Sequence, residues 1–97
     1  MANTPGNGGS RSALNVSTTT VIKASPGVVY KVLIVTPPTA AGGIYDSNVT
    51  TGLGASNLID PIGTGLAVSY AFDLEWPCAN GITINPGTGG VVSVSYT

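Results

Sequence analysis

A chain of 97 residues with net charge −1 and only 7% charged side chains is one small domain with almost no electrostatic handle. The absence of His and the single Cys exclude Ser-His-Asp and Cys-His catalysis and any internal disulfide. Three scattered cations, Arg11, Lys23 and Lys31, cannot make the basic footprint that a phosphate backbone or an anionic membrane surface requires.

Residues 1–13 open the chain with Gly, Asn, Ser and Pro5 and read as a flexible N-terminal arm. They contain no 7–15-residue apolar core of the kind a secretory signal needs, so synthesis in the cytoplasm is expected. The folded domain is expected over 14–97. Ser17 to Ala24 is rich in β-branched residues and predicts a strand. Ser25-Pro26-Gly27 supplies a turn. Val28 to Thr36 is apolar on both alternating faces, which predicts a central strand covered on both sides. Pro37-Pro38 ends it.

Gly43 to Ser47 predicts a short strand, and 48–57 a Gly/Thr/Ser-rich connection. Leu58 to Ile62 predicts another strand, interrupted by Pro61. In the next stretch Leu66, Val68, Tyr70, Phe72 and Leu74 alternate with small or polar residues, a period of two that points one row inward. Trp76-Pro77 closes that strand. Asn80-Gly81 is a tight-turn signal. Ile82 and Ile84 are expected to face opposite to Thr83 and Asn85. After Pro86 to Gly90, a last strand from Val91 to Thr97 turns Val92, Val94 and Tyr96 inward and Ser93 and Ser95 outward. No window carries a 3.6-residue apolar period. The fold class is all-β: a single antiparallel β-sandwich or jelly-roll-like barrel of about 7–8 short strands.

Few side chains are left for chemistry. Asp73 and Glu75 are two apart on one predicted strand, hence on one face, where a solvated or interface role outweighs an acid/base pair. Asp46 and Asp60 sit beside turns, and no calcium-loop spacing joins them. Cys78 lacks neighbouring cations and reads as a small apolar filler. No Gly-rich stretch matches a phosphate loop. No cofactor, no metal and no catalytic residue is expected, and the chain reads as a non-enzyme. Trp76 reads as a core or edge anchor, or else as a candidate contact, as aromatics are enriched at interface hot spots. Asn3, Pro5, Asn7 and Arg11 are candidates through the arm, which is expected to order on a neighbouring subunit.

The segments TTVIKASPGVVYKVLIV, GIYD and FDLEWPCANGITINPGTGGVVSVSYT resemble small β-sandwich proteins encoded among bacteriophage virion genes. The resemblance spans residues 14–97, with no motif over Gly52 to Gly65. It implies a capsid decoration (cement) protein that binds the outside of the shell, with the major capsid protein and its own copies, as a homotrimer, for partners. The place implied is the capsid surface of the virion. The alternative implied is a tail-fibre, spike or receptor-binding module. Nucleic acid and membrane are not expected partners, and the family offers no catalytic residues.

Overall fold

A computed structural model of the chain describes residues 11–97, which form strands and connections and no helix. The strands are β1 (Arg11–Val16), β2 (Thr20–Lys23), β3 (Gly27–Thr36), β4 (Gly42–Tyr45), β5 (Leu58–Ile62), β6 (Ala71–Cys78), β7 (Ile82–Asn85) and β8 (Val91–Tyr96). They make two four-stranded antiparallel sheets, ordered β1-β8-β3-β6 and β2-β7-β4-β5. The all-β reading holds, and the arrangement agrees with a β-sandwich. Asn3, Pro5 and Asn7, with the arm up to residue 10, lie outside the described residues. Arg11, Ser12 and Ala13, read from sequence as arm, pair with Tyr96, Ser95 and Val94 in β1.

The pairing is nested. β1 pairs with β8, β2 with β7, β3 with β6 and β4 with β5. Two further ladders, β3 with β8 and β4 with β7, fuse these pairs into sheets. Every connection except β4 to β5 therefore passes from one sheet to the other. Both sheets feed one core: Val29, Val32, Ile34, Val92 and Val94 from the first, Ile44, Ile62, Ile82 and Ile84 from the second. Each such side chain contributes about 1.5–3 kcal/mol on burial.

Three sequence expectations change. β3 is covered on one side only: Val32 and Ile34 are buried, while Lys31, Leu33 and Val35 face out. Its apolar outer row imitates a strand buried twice. Second, the alternating row from Leu66 to Leu74 is strand only from Ala71 onward. Ser69 adopts φ +70° and the Tyr70 N–H donates to the Ala67 carbonyl at 3.1 Å, closing a turn. Val68 and Tyr70 are thereby exposed, with Tyr70 packed edge-on against Phe72 at 5.1 Å between ring centroids. Small residues at 67 and 69 permit either a strand or a turn, and alternation alone does not separate them.

Third, Asn80-Gly81 is an arch between the sheets rather than a hairpin turn. Gly81 is needed for space, not for a positive φ: a Cβ there would lie 2.5 Å from the Lys23 carbonyl oxygen and 2.8 Å from that of Ser47. β7 is sided as expected, with Ile82 and Ile84 in the core and Thr83 on the outer side, yet Thr83 is as buried as either isoleucine.

Candidate protein-binding face

The outer sides of the two sheets differ. On the second sheet the chain covers its own middle. The Thr83 hydroxyl donates to the Ser47 carbonyl at 2.8 Å, so the segment after β4 lies against β7. Ser47 is itself buried and bonds with Val49 through both its hydroxyl and its acceptor lone pair. The Tyr45 ring folds back over Gly43, whose missing side chain leaves it room: a Cβ there would stand 2.8 Å from the ring.

On the first sheet no described residue lies over the outer face. Register places its outward residues in two rows. One runs Ser12, Ser95, Lys31, Asp73 across β1, β8, β3 and β6. The next runs Leu14, Ser93, Leu33, Ala71, with Leu14 in the β1 bulge opposite Ser93. The two β8 serines are short, so they form the floor of a trough with Leu14 on one wall and Leu33 on the other. This groove has a volume of about 390 Å³. Leu14 is 71% exposed, Leu33 39% and Val35 38%. Among the described residues the only opposite charges that meet here are Lys31 and Asp73, 3.4 Å apart and largely solvated. Such a pair contributes about 0–1 kcal/mol, so the face is close to neutral and rich in small and aliphatic groups.

The sequence candidates fall elsewhere. Arg11 and Trp76 belong to one cross-strand row, Arg11–Tyr96–Val29–Trp76. They sit at its two ends on opposite edge strands, three strand spacings or roughly 14 Å apart. Val29 in the middle of that row belongs to the core, so the two residues flank the inner side of the sheet and do not join the open face. Trp76 is half exposed. The open face escaped sequence reasoning because β3's outer row looked like core. The serines of β8 were the available signal, since an outward row of small side chains beside an apolar row makes a trough.

Asp46 and Cys78 are committed to structure. Asp46 accepts hydrogen bonds from the backbone N–H groups of Asn80 at 2.8 Å, Ala79 at 3.0 Å and Gly81 at 3.4 Å. Partial burial raises its carboxyl, but the three N–H groups outweigh that and leave its pKa below the usual value. Asp46 thus caps the β6–β7 arch. Burial, with help from the Asp46 charge, pushes the Cys78 thiol up to about 11, which keeps it protonated near neutral pH. Glu75 sits at φ +46° in a bulge where Leu74 and Glu75 together oppose Tyr30. That interrupts the period of two which would set Glu75 on the face of Asp73. No group of three His, Cys, Asp or Glu side chains suited to a metal occurs among the described residues.

No protein-family model, curated protein or solved structure matches the chain.

Proposed function

We propose that the protein is a non-catalytic jelly-roll module of a bacteriophage virion, a decoration protein that seats on the outside of a capsid and stabilises it across subunit boundaries. The nested order β1-β8-β3-β6 over β2-β7-β4-β5 supports the jelly-roll reading. A chain folded once into a long hairpin and then rolled up pairs strand one with eight, two with seven, three with six and four with five. Jelly rolls of eight strands recur in viral capsid and lectin domains. A fold alone does not assign a role, so the observation that carries the proposal is the outer face of the first sheet. It is apolar or neutral and uncovered by described residues.

A neutral adhesive face suits close packing between proteins and gives little to a diffusing charged substrate. Bound to a shell, the module strengthens it by linkage, because anything that binds only the assembled form stabilises that form. Copy number on purified particles tests the reading. Hundreds of copies per particle, with capsids that rupture at lower temperature when stripped of the protein, are expected. Absence from particles overturns the proposal, and a handful of copies reassigns the module to a tail fibre or spike.

A further inference from the structure

We infer that the outer face of the β1-β8-β3-β6 sheet pairs with the same face of a second copy about a two-fold axis lying parallel to the strands, between β8 and β3. The inference concerns the free protein and does not depend on a virion role; on a shell the same face would be exchanged from the second copy to the capsid subunits.

Edges are poor sites for association in this molecule. All four edge strands are interrupted. β1 has a bulge between Ala13 and Val16, with Asn15 at φ +56°. β6 has the Glu75 bulge and Pro77. β2 is four residues long with a register shift, and β5 carries Pro61. Such devices block strand addition. An open face beside blocked edges directs association onto the face.

The face is complementary to itself. The proposed axis reverses the strand order, so β1 of one copy meets β6 of the other and β8 meets β3. The apolar row, Leu14–Ser93–Leu33–Ala71, then opposes its own reverse. Each leucine meets a small residue: Leu14 over Ala71 and Leu33 over Ser93, each contact made twice. Ridge fills trough along the whole row. The polar row, Ser12–Ser95–Lys31–Asp73, sets Lys31 against Ser95 and Asp73 against Ser12. Each charge finds a hydroxyl, and no like charges face one another. An isologous contact of this kind closes at two copies, so a trimer would need a different surface. Four strands about 4.8 Å apart and roughly 25 Å long give a footprint of roughly 450 Å² per copy. That is at the low end for specific interfaces and fits a weak, reversible pair.

Sedimentation equilibrium of the full chain tests this, with far-UV spectra and melting curves confirming that each variant is folded. The wild type is expected to dimerise reversibly. Leu14→Asp, at a side chain already mostly in solvent, is expected to remain folded and monomeric. Ser12 gives the sharper test. Within one copy it is separated from Asp73 by β8 and β3, so a charge at position 12 meets Asp73 at close range only across the pair. Ser12→Lys is expected to tighten the dimer and Ser12→Asp to weaken it, each by about three- to tenfold because two symmetric contacts change. A wild type that stays monomeric to several hundred micromolar overturns the inference. So does a dimer indifferent to Leu14→Asp, or equal responses to the two Ser12 variants. Loss of particle binding in Leu14→Asp without any change in self-association would give the face to the shell protein and likewise overturn it.

Discussion

The two sheets are built from similar residues yet end differently on their outer sides. In the second sheet the outer row Val21–Thr83–Tyr45–Leu58 is roofed at its centre by Ser47 and by the Tyr45 ring. In the first sheet the corresponding row, Leu14–Ser93–Leu33–Ala71, has no described cover. The cause is connectivity. The β4–β5 link is the one connection that returns to its own sheet, and its twelve-residue span (46–57) gives chain enough to fold back over β7. Every other link is consumed in crossing between layers. The sheet with the long loop roofs itself, and the sheet without one leaves its outer face without described cover.

Paired truncations break or uphold this contrast most strongly. Ile84→Ala in β7, where the side chain is fully buried, is expected to cost about 3–4 kcal/mol, the range for a large aliphatic lost from a packed core. Leu33→Ala in β3 is expected to cost under about 1 kcal/mol, since part of that side chain already meets water. Denaturant midpoints measured on dilute monomer decide the matter. Similar losses at both sites would mean that the first sheet is covered after all. A smaller effect tests the roof itself. Thr83→Val keeps the shape but deletes the hydroxyl donor to Ser47, and is expected to cost about 1–2 kcal/mol. Ser93→Val, its counterpart on the open sheet, is expected to be neutral or slightly stabilising, because Val suits an extended backbone.

The same contrast explains what was legible in the sequence. Seven of the eight strands were readable from apolar or β-branched stretches between Gly and Pro signals, but β1 was not: Arg11 to Ala13 read as arm, and neither a β-branched run nor a Gly or Pro after it marks the strand. β8 was readable down to its faces, with Val92 and Val94 in and Ser93 and Ser95 out. β3 was misread, and β7 was read correctly in its two sides but not in how deeply its outer side is covered. β3's Leu33 and Val35 look like core residues and are not. Thr83 looks like a surface residue and is buried, because its hydroxyl finds a carbonyl from a loop thirty-six positions away. Which face a loop will roof depends on where the loop lands, and that is a non-local fact absent from any short window. The candidate face was hidden for the same reason. Its residues come from β1, β8, β3 and β6, which only the nested pairing brings side by side.

Acid provides a further handle on the covered side. Asp46 holds the β6–β7 arch through three backbone N–H groups, and its native pKa lies below the ordinary 3.8. A carboxylate with a lowered native pKa adds stability that is complete well above its unfolded pKa. That stability is lost as pH falls through 3.8 toward the lower native value. Asp46→Asn is therefore expected to destabilise at neutral pH by under about 1 kcal/mol, since water screens this largely exposed carboxylate, and by less at roughly pH 2. Parallel urea titrations of both proteins at the two pH values check it. A difference that persists unchanged into acid would mean that the arch is held by packing around Gly81 rather than by the charge.

The smallest expected stability effect belongs to the open face, and its smallness is the point. Lys31 and Asp73 are both more than 60% exposed, so Lys31→Ala should shift the folding free energy of the monomer by less than about 0.5 kcal/mol. Folding stability alone gives no reason for this pair, nor for a serine set between two leucines in the neighbouring row. A row that contributes little to folding but has matched large and small members makes sense if its energy is realised against another surface. Lys31→Asp measures this directly. Beside Asp73 it creates a like-charge pair whose repulsion is mild in water and grows when a partner excludes solvent. Its melting temperature should therefore stay close to that of the wild type at low protein concentration, while self-association falls severalfold. Equal loss in both measurements would mean that the Lys31–Asp73 pair serves folding, and the two outer faces would then differ in cover but not in purpose.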